Sequence, residues 1–221
     1  MKRVVIMGGG KLAYYLIESL QDVDVDITLI EQIEARGEHI VNRFDSVRVL
    51  TGDGTTISTL EAANLRDADF YVAATGRDED NLVGCQIAKK YFNVKTTVAR
   101  VMNPKNIKMF KELEVDLVYN STQMLTDLIE HNIQYEGMQV VFNLRDTPNY
   151  IVEVHVSDDS KAIGMQLKDI DYPGTTRVVI ITRKDKTSLI PTGYTTIERG
   201  DVLLVVTEEK YYDEIYNFLA R

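Results

Sequence analysis

Residues 4–20 read VVIMGGGKLAYYLIESL, a short apolar run that meets three consecutive glycines and continues as an amphipathic stretch. Glycine weakens both strands and helices, because it has the most backbone freedom to lose on folding. The pattern therefore predicts a strand, a tight turn and a helix, with a turn that needs backbone free of side chains.

Residues 8–13, GGGKLA, fit the spacing G-x-G-x-x-A directly after the predicted strand. In this pattern the first glycine permits the turn and the second lets the backbone approach a pyrophosphate. The small third residue, here Ala13, lets helix and strand pack closely. The phosphates would meet free backbone amides at the positive end of the helix. A tight turn that binds no ligand is the alternative that this motif leaves open.

A carboxylate supports the nucleotide interpretation. Glu31 stands at the end of the second predicted strand, about 20 residues beyond the glycines, where an acidic side chain receives the two ribose hydroxyls. The same charge repels a 2′-phosphate, which favours NAD or ADP/ATP over NADP. The alternative is a solvated loop acid.

Further candidates follow other predicted strands at their carboxyl ends, where open α/β sheets bind ligands. GDGT, residues 52–55, follows the third strand, and AATGRDEDN, residues 73–81, spans the end of the fourth. The acids of RDEDN could stabilise a helix start or hold a divalent cation; helix stabilisation is favoured, and we predict no metal site. Arg100, at the end of the fifth strand, needs an anionic partner, either a phosphate or an internal carboxylate.

Composition limits the remaining possibilities. The chain has 221 residues and a formal net charge of −9, without the basic surface that nucleic-acid binding requires. Its apolar runs fall short of the roughly 20 residues of a bilayer span, and the N-terminus does not resemble a signal peptide. A single cysteine, Cys85, forms no internal disulfide, so we expect a cytoplasmic protein.

Strand and helix patterns alternate through the first part of the chain, which predicts an α/β fold with a doubly wound parallel sheet of Rossmann type. The predicted strands are 3–7, 26–30, 47–50, 70–73, 97–101 and 117–119. The predicted helices are 11–21, 33–44, 58–63, 79–92, 105–113 and 123–135.

Strand patterns dominate the rest of the chain. Strands at 140–144 and 151–156, connected across RDTPN, precede strands at 177–182 and 201–206 and a closing helix at 210–219. We predict a smaller α+β domain here. The domains are residues 1–137, which include the linking helix, and residues 138–221.

The series GGGKLA, LIE, GDGT, AATGRDEDNL and ARVMNP resembles the N-terminal RCK domain of TrkA-type cytosolic gating subunits, which belong to Trk/Ktr potassium uptake systems. The later stretch from IGMQLKDIDYP to ERGDVLLVV resembles their C-terminal domain. The resemblance implies homodimers assembled into a ring under a separate potassium-translocating membrane protein, at the inner face of the membrane. An adenine nucleotide, NAD/NADH or ADP/ATP, would change the ring geometry and gate the pore.

Residue matching to this family implies a set of contacts along the nucleotide. Gly8, Gly9, Gly10, Lys11 and Leu12 would contact the pyrophosphate, Glu31 the ribose, Gly52, Asp53, Gly54 and Thr55 the adenine and ribose, Ala74, Thr75 and Asn81 the far side, and Arg100 a phosphate. Two positions depart from the family, which usually has glycine at position 13 and arginine or glutamine at position 11. Lys11 keeps the charge but lacks the planar fork of arginine, which puts phosphate contacts across subunits in doubt.

Some family members bind cyclic di-AMP at the dimer interface of the C-terminal domain. The matching residues are Ile163, Arg177, Val178, Ile190 and Pro191. A two-fold symmetric dinucleotide suits a cleft between two-fold mates. The alternative is that these residues form only core and dimer contacts.

These observations lead to one main expectation and two alternatives. We expect a non-enzymatic regulatory subunit whose nucleotide shifts the population of two ring states. A stand-alone nucleotide sensor is possible on the same residues. A small NAD-dependent oxidoreductase is disfavoured, because His39, His131, His155 and Cys85 lie in patterned elements and form no catalytic set.

Overall fold

The computed structural model describes residues 1–144 and 147–221, and the chain forms two compact units, Met1–Met124 and Leu125–Arg221. Arg145 and Asp146, part of the predicted RDTPN connection, lie outside the described residues. Across the described ranges, no helix is both long enough and apolar enough to span a bilayer.

The first unit contains a six-stranded sheet in which every pair of neighbouring strands is parallel. Its strands are β1 (Lys2–Met7), β2 (Val25–Glu31), β3 (Val47–Thr51), β4 (Phe70–Ala73), β5 (Thr96–Arg100) and β6 (Leu117–Tyr119). The order is β3-β2-β1-β4-β5-β6, the doubly wound order of Rossmann folds. The predicted fold class is confirmed, and each strand lies within two residues of its predicted bounds.

Helices connect these strands. They are α1 (Lys11–Ser19), α2 (Glu34–Val41), α3 (Ile57–Ala62), α4 (Asp78–Lys90) and α5 (Ile107–Glu112), with short 3-10 turns at Leu65–Asp67 and Pro104–Asn106. Apolar residues fill both faces of the sheet: Val5 and Met7 belong to one core cluster, and Val4 and Ile6 to another. Burial on both faces explains why the strands show no apolar–polar alternation.

The linking helix α6 (Ser121–Gln134) begins at an Asn120 cap, whose side-chain oxygen accepts from the Gln123 amide at 2.6 Å. The two compact units divide inside this helix, after Met124, whereas the sequence predicted a domain boundary after the helix. The reason is packing, because the rings of His131 and Tyr135 in the later turns lie against Tyr212 of the second unit.

The second unit is built on a five-stranded antiparallel sheet in the order β10-β9-β11-β8-β7. Its strands are β7 (Met138–Asn143), β8 (Asn149–His155), β9 (Arg177–Thr182), β10 (Ser188–Leu189) and β11 (Val202–Glu208). The predicted closing helix is divided into a 3-10 turn at Glu209–Tyr211, α7 (Tyr212–Ile215) and a π-helical segment at Tyr216–Ala220. Tyr212, Ile215 and Leu219 of this segment are buried at helical spacing.

Candidate functional site

The candidate site is a cavity of about 270 Å³ at the carboxyl edge of the parallel sheet. The strand order changes direction at β1, which pairs with both β2 and β4, and such a switch point leaves a crevice in doubly wound sheets. The cavity is lined by Met7, Gly8, Gly10, Ile30, Glu31, Gln32, Ile33, Arg36, Gly52, Asp53, Gly54, Thr55, Ala74, Thr75, Gly76, Arg77, Asp80 and Arg100.

Gly8 forms the start of the glycine turn. Its φ is +100°, and a Cβ there would lie 3.0 Å from the backbone nitrogen of Thr75. The Gly8 amide donates to the Ile30 carbonyl at 2.8 Å, so the turn stays tied to β2. A side chain at this position would meet both backbone strain and a clash.

Glu31 fastens the glycine turn to the start of α2. The residue is 6% exposed; its Oε2 accepts from the Gly9 amide at 2.5 Å, and its Oε1 accepts from the Ile33 amide at 2.8 Å. A Cβ on Gly9 would lie only 3.0 Å from Oε2. Because a carboxylate oxygen has more than one acceptor site, these bonds leave acceptor capacity for ribose hydroxyls.

Gly10 has free space around it, whereas Gly8 and Gly9 are crowded. A Cβ on Gly10 would meet no atom within 4 Å, and its φ of −77° suits any residue. Gly10 is also the N-cap residue of α1, and neither a capping side chain nor an acid occupies the first turn of this helix. The first turn of α1 therefore has no acid of its own, as in helices that bind phosphate, and the Glu31 carboxylate reaches only the Gly9 amide before the cap.

The loop of residues 52–55 closes one side of the cavity. Asp53 Oδ1 accepts from both the Thr55 hydroxyl at 2.7 Å and the Thr55 amide at 2.8 Å. These bonds, led by the hydroxyl, hold the pKa of Asp53 below its ordinary value. Asp53 is therefore ionised at neutral pH and fixes the loop with an Asx turn.

Asn81 joins the ends of β4 and β5. Its Oδ1 accepts from the Thr75 hydroxyl at 2.7 Å and the Thr75 amide at 3.0 Å, and its Nδ2 donates to the Arg100 carbonyl at 2.8 Å. Asn81 is fully buried and does not line the cavity, although the resemblance placed it on the far side of the nucleotide. It positions two residues that do line the cavity, Thr75 and Arg100.

Arg100 supplies a cation at the cavity wall. Within residues 1–144 and 147–221, no carboxylate oxygen lies within 4.0 Å of its guanidinium nitrogens, whereas Arg77 pairs with Glu79 and Asp80. Of the two partners that the sequence allowed for Arg100, an internal carboxylate forms no ion pair with it in the described chain, although Asp78 is near enough for the charge of Arg100 to lower its pKa. The charge of Arg100 is available to an anionic ligand.

The acids of RDEDN have partners within the protein. Asp78 accepts from the Met102 amide at 2.6 Å and the Asn103 amide at 3.1 Å. Burial raises the pKa of Asp78, but these two bonds, one from Asn106 and the nearby charge of Arg100 outweigh it and leave the pKa below the ordinary value. Asp78, Glu79 and Asp80 stand in the first turn of α4, where negative charge stabilises the helix.

Most of the implied nucleotide contacts meet at the cavity. The implied contact residues that line the cavity are Gly8, Gly10, Glu31, Gly52, Asp53, Gly54, Thr55, Ala74, Thr75 and Arg100. Gly9 and Lys11 line a neighbouring cavity of about 530 Å³, together with Tyr14, Tyr15, Arg36, His39 and Ile40. Leu12 is 44% exposed and lines neither cavity.

Several lining residues were not identified from the sequence. Met7 and Ile30 are ordinary core residues in the sequence pattern, so nothing marks them as cavity floor. Arg36 and Arg77 could have been found, because each cation comes shortly after a strand end, where the carboxyl edge of the sheet gathers its loops.

Only three of the five residues implied as cyclic di-AMP contacts in the second unit line one cavity there. Arg177, Val178 and Pro191 line a cavity of about 400 Å³ with Lys168 and Tyr172. Ile163 packs against the core cluster of this unit, and Ile190 is 85% exposed.

The side chains considered for catalysis do not line the sheet-edge cavity. Cys85 is buried, and desolvation raises the pKa of its thiol to about 12, so it stays protonated. His155 lies in the second unit beside Glu153, with 3.2 Å between Nε2 and Oε1. The described residues that line the sheet-edge cavity include no histidine, cysteine or lysine.

The Rossmann order, the glycine turn and the strand-end carboxylate are typical of dinucleotide-binding domains, and here a smaller antiparallel unit follows. The family model of the TrkA-N domain matches residues 4–121, and that of the TrkA-C domain matches residues 151–220. The chain belongs to the TrkA family of RCK-type proteins. It is 31% identical over 205 residues to a Trk system potassium uptake protein TrkA homolog of Methanothermobacter thermautotrophicus, with 93% of each chain covered.

Solved structures share the fold at lower identity. The GsuK channel bound to NAD aligns with a TM-score of 0.53 at 19% identity, over 98% of this chain and 38% of that chain. GsuK bound to ADP aligns with a TM-score of 0.55 at 17% identity, over 62% of this chain and 35% of that chain.

Proposed function

We propose that this chain is a non-enzymatic regulatory subunit that binds an adenine nucleotide and gates a separate potassium-translocating membrane protein of Trk/Ktr type. One observation carries the nucleotide part of this proposal. The cavity at the switch point joins the glycine turn, the Glu31 carboxylate and the Arg100 guanidinium in one space. These three groups complement a pyrophosphate, a ribose and a phosphate charge respectively.

The comparisons support the choice of ligand class. NAD is bound to one GsuK structure and ADP to another, and both share the fold of this chain. The carboxylate of Glu31 disfavours a ribose that carries a 2′-phosphate, so NAD/NADH and ADP/ATP are the candidates.

A thermal-shift panel tests ligand binding directly. NAD, NADH, ADP, ATP and cyclic di-AMP are added separately, with and without potassium and magnesium. A ligand that binds only the folded chain raises the melting temperature, by an amount that grows with its concentration over Kd. We expect a rise with at least one adenine nucleotide; no rise with any of them at millimolar concentration would contradict the proposal.

The gating part of the proposal rests on family membership. The relative from Methanothermobacter is named a Trk system potassium uptake protein. We infer that the chain acts at the inner face of the membrane through such a partner. The nucleotide can shift the gate only by its differential affinity for two states, and a coupling of about 1–3 kcal/mol gives 5- to 150-fold effects. Nucleotide-dependent potassium flux in vesicles that hold both proteins tests this step.

A second copy of the chain is the proposed partner of α6. Leu125, Leu128, Ile129 and Ile133 are 60%, 43%, 59% and 80% exposed, and their spacing places them along one side of the helix. Such an apolar stripe is typical of a helix that buries it against another surface. The family resemblance favours a homodimer, which would assemble further into a ring.

Light scattering with Ile129→Glu tests this contact. We expect the wild-type chain to have at least the mass of a dimer. The Ile129→Glu variant should dissociate into monomers at a higher protein concentration than the wild type does. Asn132→Glu on the same helix adds the same charge outside the apolar set and is the control. A wild-type monomer at high micromolar concentration would contradict the proposal.

Cyclic di-AMP is a second candidate ligand, at a different site. The observation that favours it is the cavity of the second unit, which joins Arg177, Val178 and Pro191 and adds the cation of Lys168. Calorimetry with cyclic di-AMP, for the wild type and Arg177→Gln, tests it. Equal affinity of the two proteins would remove Arg177 from the site.

Two alternative functions are separated by simple assays. An oxidoreductase would consume NADH with a carbonyl substrate, and steady loss of absorbance would favour it. The buried, protonated Cys85 and the absence of histidine among the described lining residues weigh against this reaction. A stand-alone sensor would bind nucleotide yet leave the potassium flux of a Trk/Ktr membrane protein unchanged.

A further inference from the structure

One buried hydroxyl lies beneath the proposed nucleotide cavity and belongs to none of the residues considered so far. Tyr71, on β4, is fully buried, and its hydroxyl oxygen lies 3.2 Å from Met7 Sδ and 3.3 Å from the Gly54 carbonyl oxygen. Met7 and Gly54 both line the cavity, whereas Tyr71 does not.

The packing around this hydroxyl leaves no spare room. A Cβ on Gly54 would lie 2.5 Å from Met7 Sδ, and a Cβ on Gly84 of α4 would overlap the Tyr71 hydroxyl. Gly54, Met7, Tyr71 and Gly84 therefore form a continuous line of contact from the loop of residues 52–55, through β1 and β4, to α4. Gly54 and Gly84 are required in this line because a side chain would not fit, and not because of their backbone conformation.

The hydroxyl stays neutral here and can donate a hydrogen bond. Burial raises the pKa of Tyr71 well above its ordinary value, so the proton stays on the oxygen. A thioether is a weak acceptor, and the carbonyl is the stronger of the two partners. Since a buried hydroxyl needs a partner, the Gly54 carbonyl and the Tyr71 hydroxyl hold each other in place.

We propose that Tyr71 is a positioning residue, which holds the loop of residues 52–55 against the cavity floor and so sets the affinity for the adenosine half of the nucleotide. This inference rests on the proposed nucleotide site. The loop carries Asp53 and Thr55, both of which line the cavity. The phosphate half meets the glycine turn instead, which has no contact with the Tyr71 hydroxyl among the hydrogen bonds of the described residues.

Tyr71→Phe tests the proposal by calorimetry with AMP, ADP and NAD. All three ligands share adenosine, so we expect Kd to rise by the same factor for each, about 3- to 10-fold, as for loss of one neutral hydrogen bond. Gly84→Ala keeps the hydroxyl but displaces it, and should weaken binding in the same direction. Tyr91→Phe removes an exposed hydroxyl at the end of α4 and is the matched control.

Hydrogen exchange on the nucleotide-free protein gives a second readout that is independent of binding. In Tyr71→Phe the amides of Thr55 and Thr56 should exchange faster, while those of β1 keep their wild-type rates. Unchanged exchange in the loop, or unchanged Kd in both variants, would overturn the role of Tyr71. If the wild type bound no nucleotide, the proposed function would fail, and the exchange rates would still decide whether Tyr71 holds the loop.

Discussion

At the scale of single residues, the three glycines of residues 8–10 meet three different requirements. Gly8 has a positive φ and lies against Thr75, Gly9 leaves room for the Glu31 carboxylate, and Gly10 faces open space. Two of the three are thus explained by the folded protein itself. Internal contacts do not explain Gly10, and its small size is what the proposed contact with a pyrophosphate would require.

Glu31 has a structural role as well as the proposed ribose contact. In Glu31→Ala the amides of Gly9 and Ile33 lose their acceptor, so the free energy of unfolding should fall by about 1–3 kcal/mol in a denaturant titration. Nucleotide affinity should fall too, because the ribose acceptor is removed. Unchanged nucleotide affinity in a variant that still folds would remove the ribose assignment, and unchanged stability would remove the structural one.

Residue-level prediction from sequence succeeded where a motif sets the position and failed where a contact spans the fold. The place of Glu31 at a strand end follows from the pattern, but its two backbone partners do not. Tyr71 and Met7 are 64 positions apart in sequence and look like core residues, so only the strand pairing of β1 with β4 reveals their contact.

At the scale of elements, the parallel strands were predictable because burial on both faces leaves a continuous apolar run. The packing of the second half of α6 was less predictable from the sequence. Its amphipathic pattern predicts a helix, but it does not say that His131 packs among tyrosines while the stripe from Leu125 to Ile133 stays exposed.

We expect His131 to make the attachment of α6 sensitive to pH. Its ring nitrogens are buried beside Tyr135 and Tyr212, and among the described residues neither forms a hydrogen bond of good geometry. Desolvation lowers the pKa of His131 below 6.5, although the Met138 backbone and Glu209 oppose this. The unfolded chain therefore binds the proton first as the pH falls through 6.5, and stability decreases below that pH.

The measurement is thermal unfolding between pH 7.5 and pH 5, for the wild type and His131→Phe. We expect the melting temperature of the wild type to fall more steeply over this range than that of the variant. His155→Phe, which removes an exposed imidazole, is the control. Parallel pH profiles for the wild type and His131→Phe would show that His131 is not the group responsible.

At the scale of the whole molecule, the two proposed ligand sites are separate. Every residue that lines the sheet-edge cavity belongs to Met1–Met124, and every residue that lines the 400 Å³ cavity belongs to Leu125–Arg221. The sequence predicted two domains, but a helix that continues across the division hides where one packing unit ends.

This separation predicts that a fragment of residues 1–124 binds adenine nucleotide nearly as the full chain does. We expect Kd values within about threefold, a difference below 1 kcal/mol, because the fragment retains all lining residues. Calorimetry on both proteins measures this, with circular dichroism to check the fold of the fragment. A folded fragment with much weaker binding would show that the second unit contributes to the site.

The most direct measurement is calorimetric titration of ADP into the wild type and Gly10→Asp, with the melting temperature of each. The Cβ of an aspartate at this N-cap position would meet no atom within 4 Å, and its carboxylate can cap the helix start, which is worth about 0.3 kcal/mol relative to glycine. The aspartate also places a negative charge where the pyrophosphate would lie. We predict that the wild type binds ADP, and that Gly10→Asp melts no lower yet binds none; equal binding by both proteins would contradict the account.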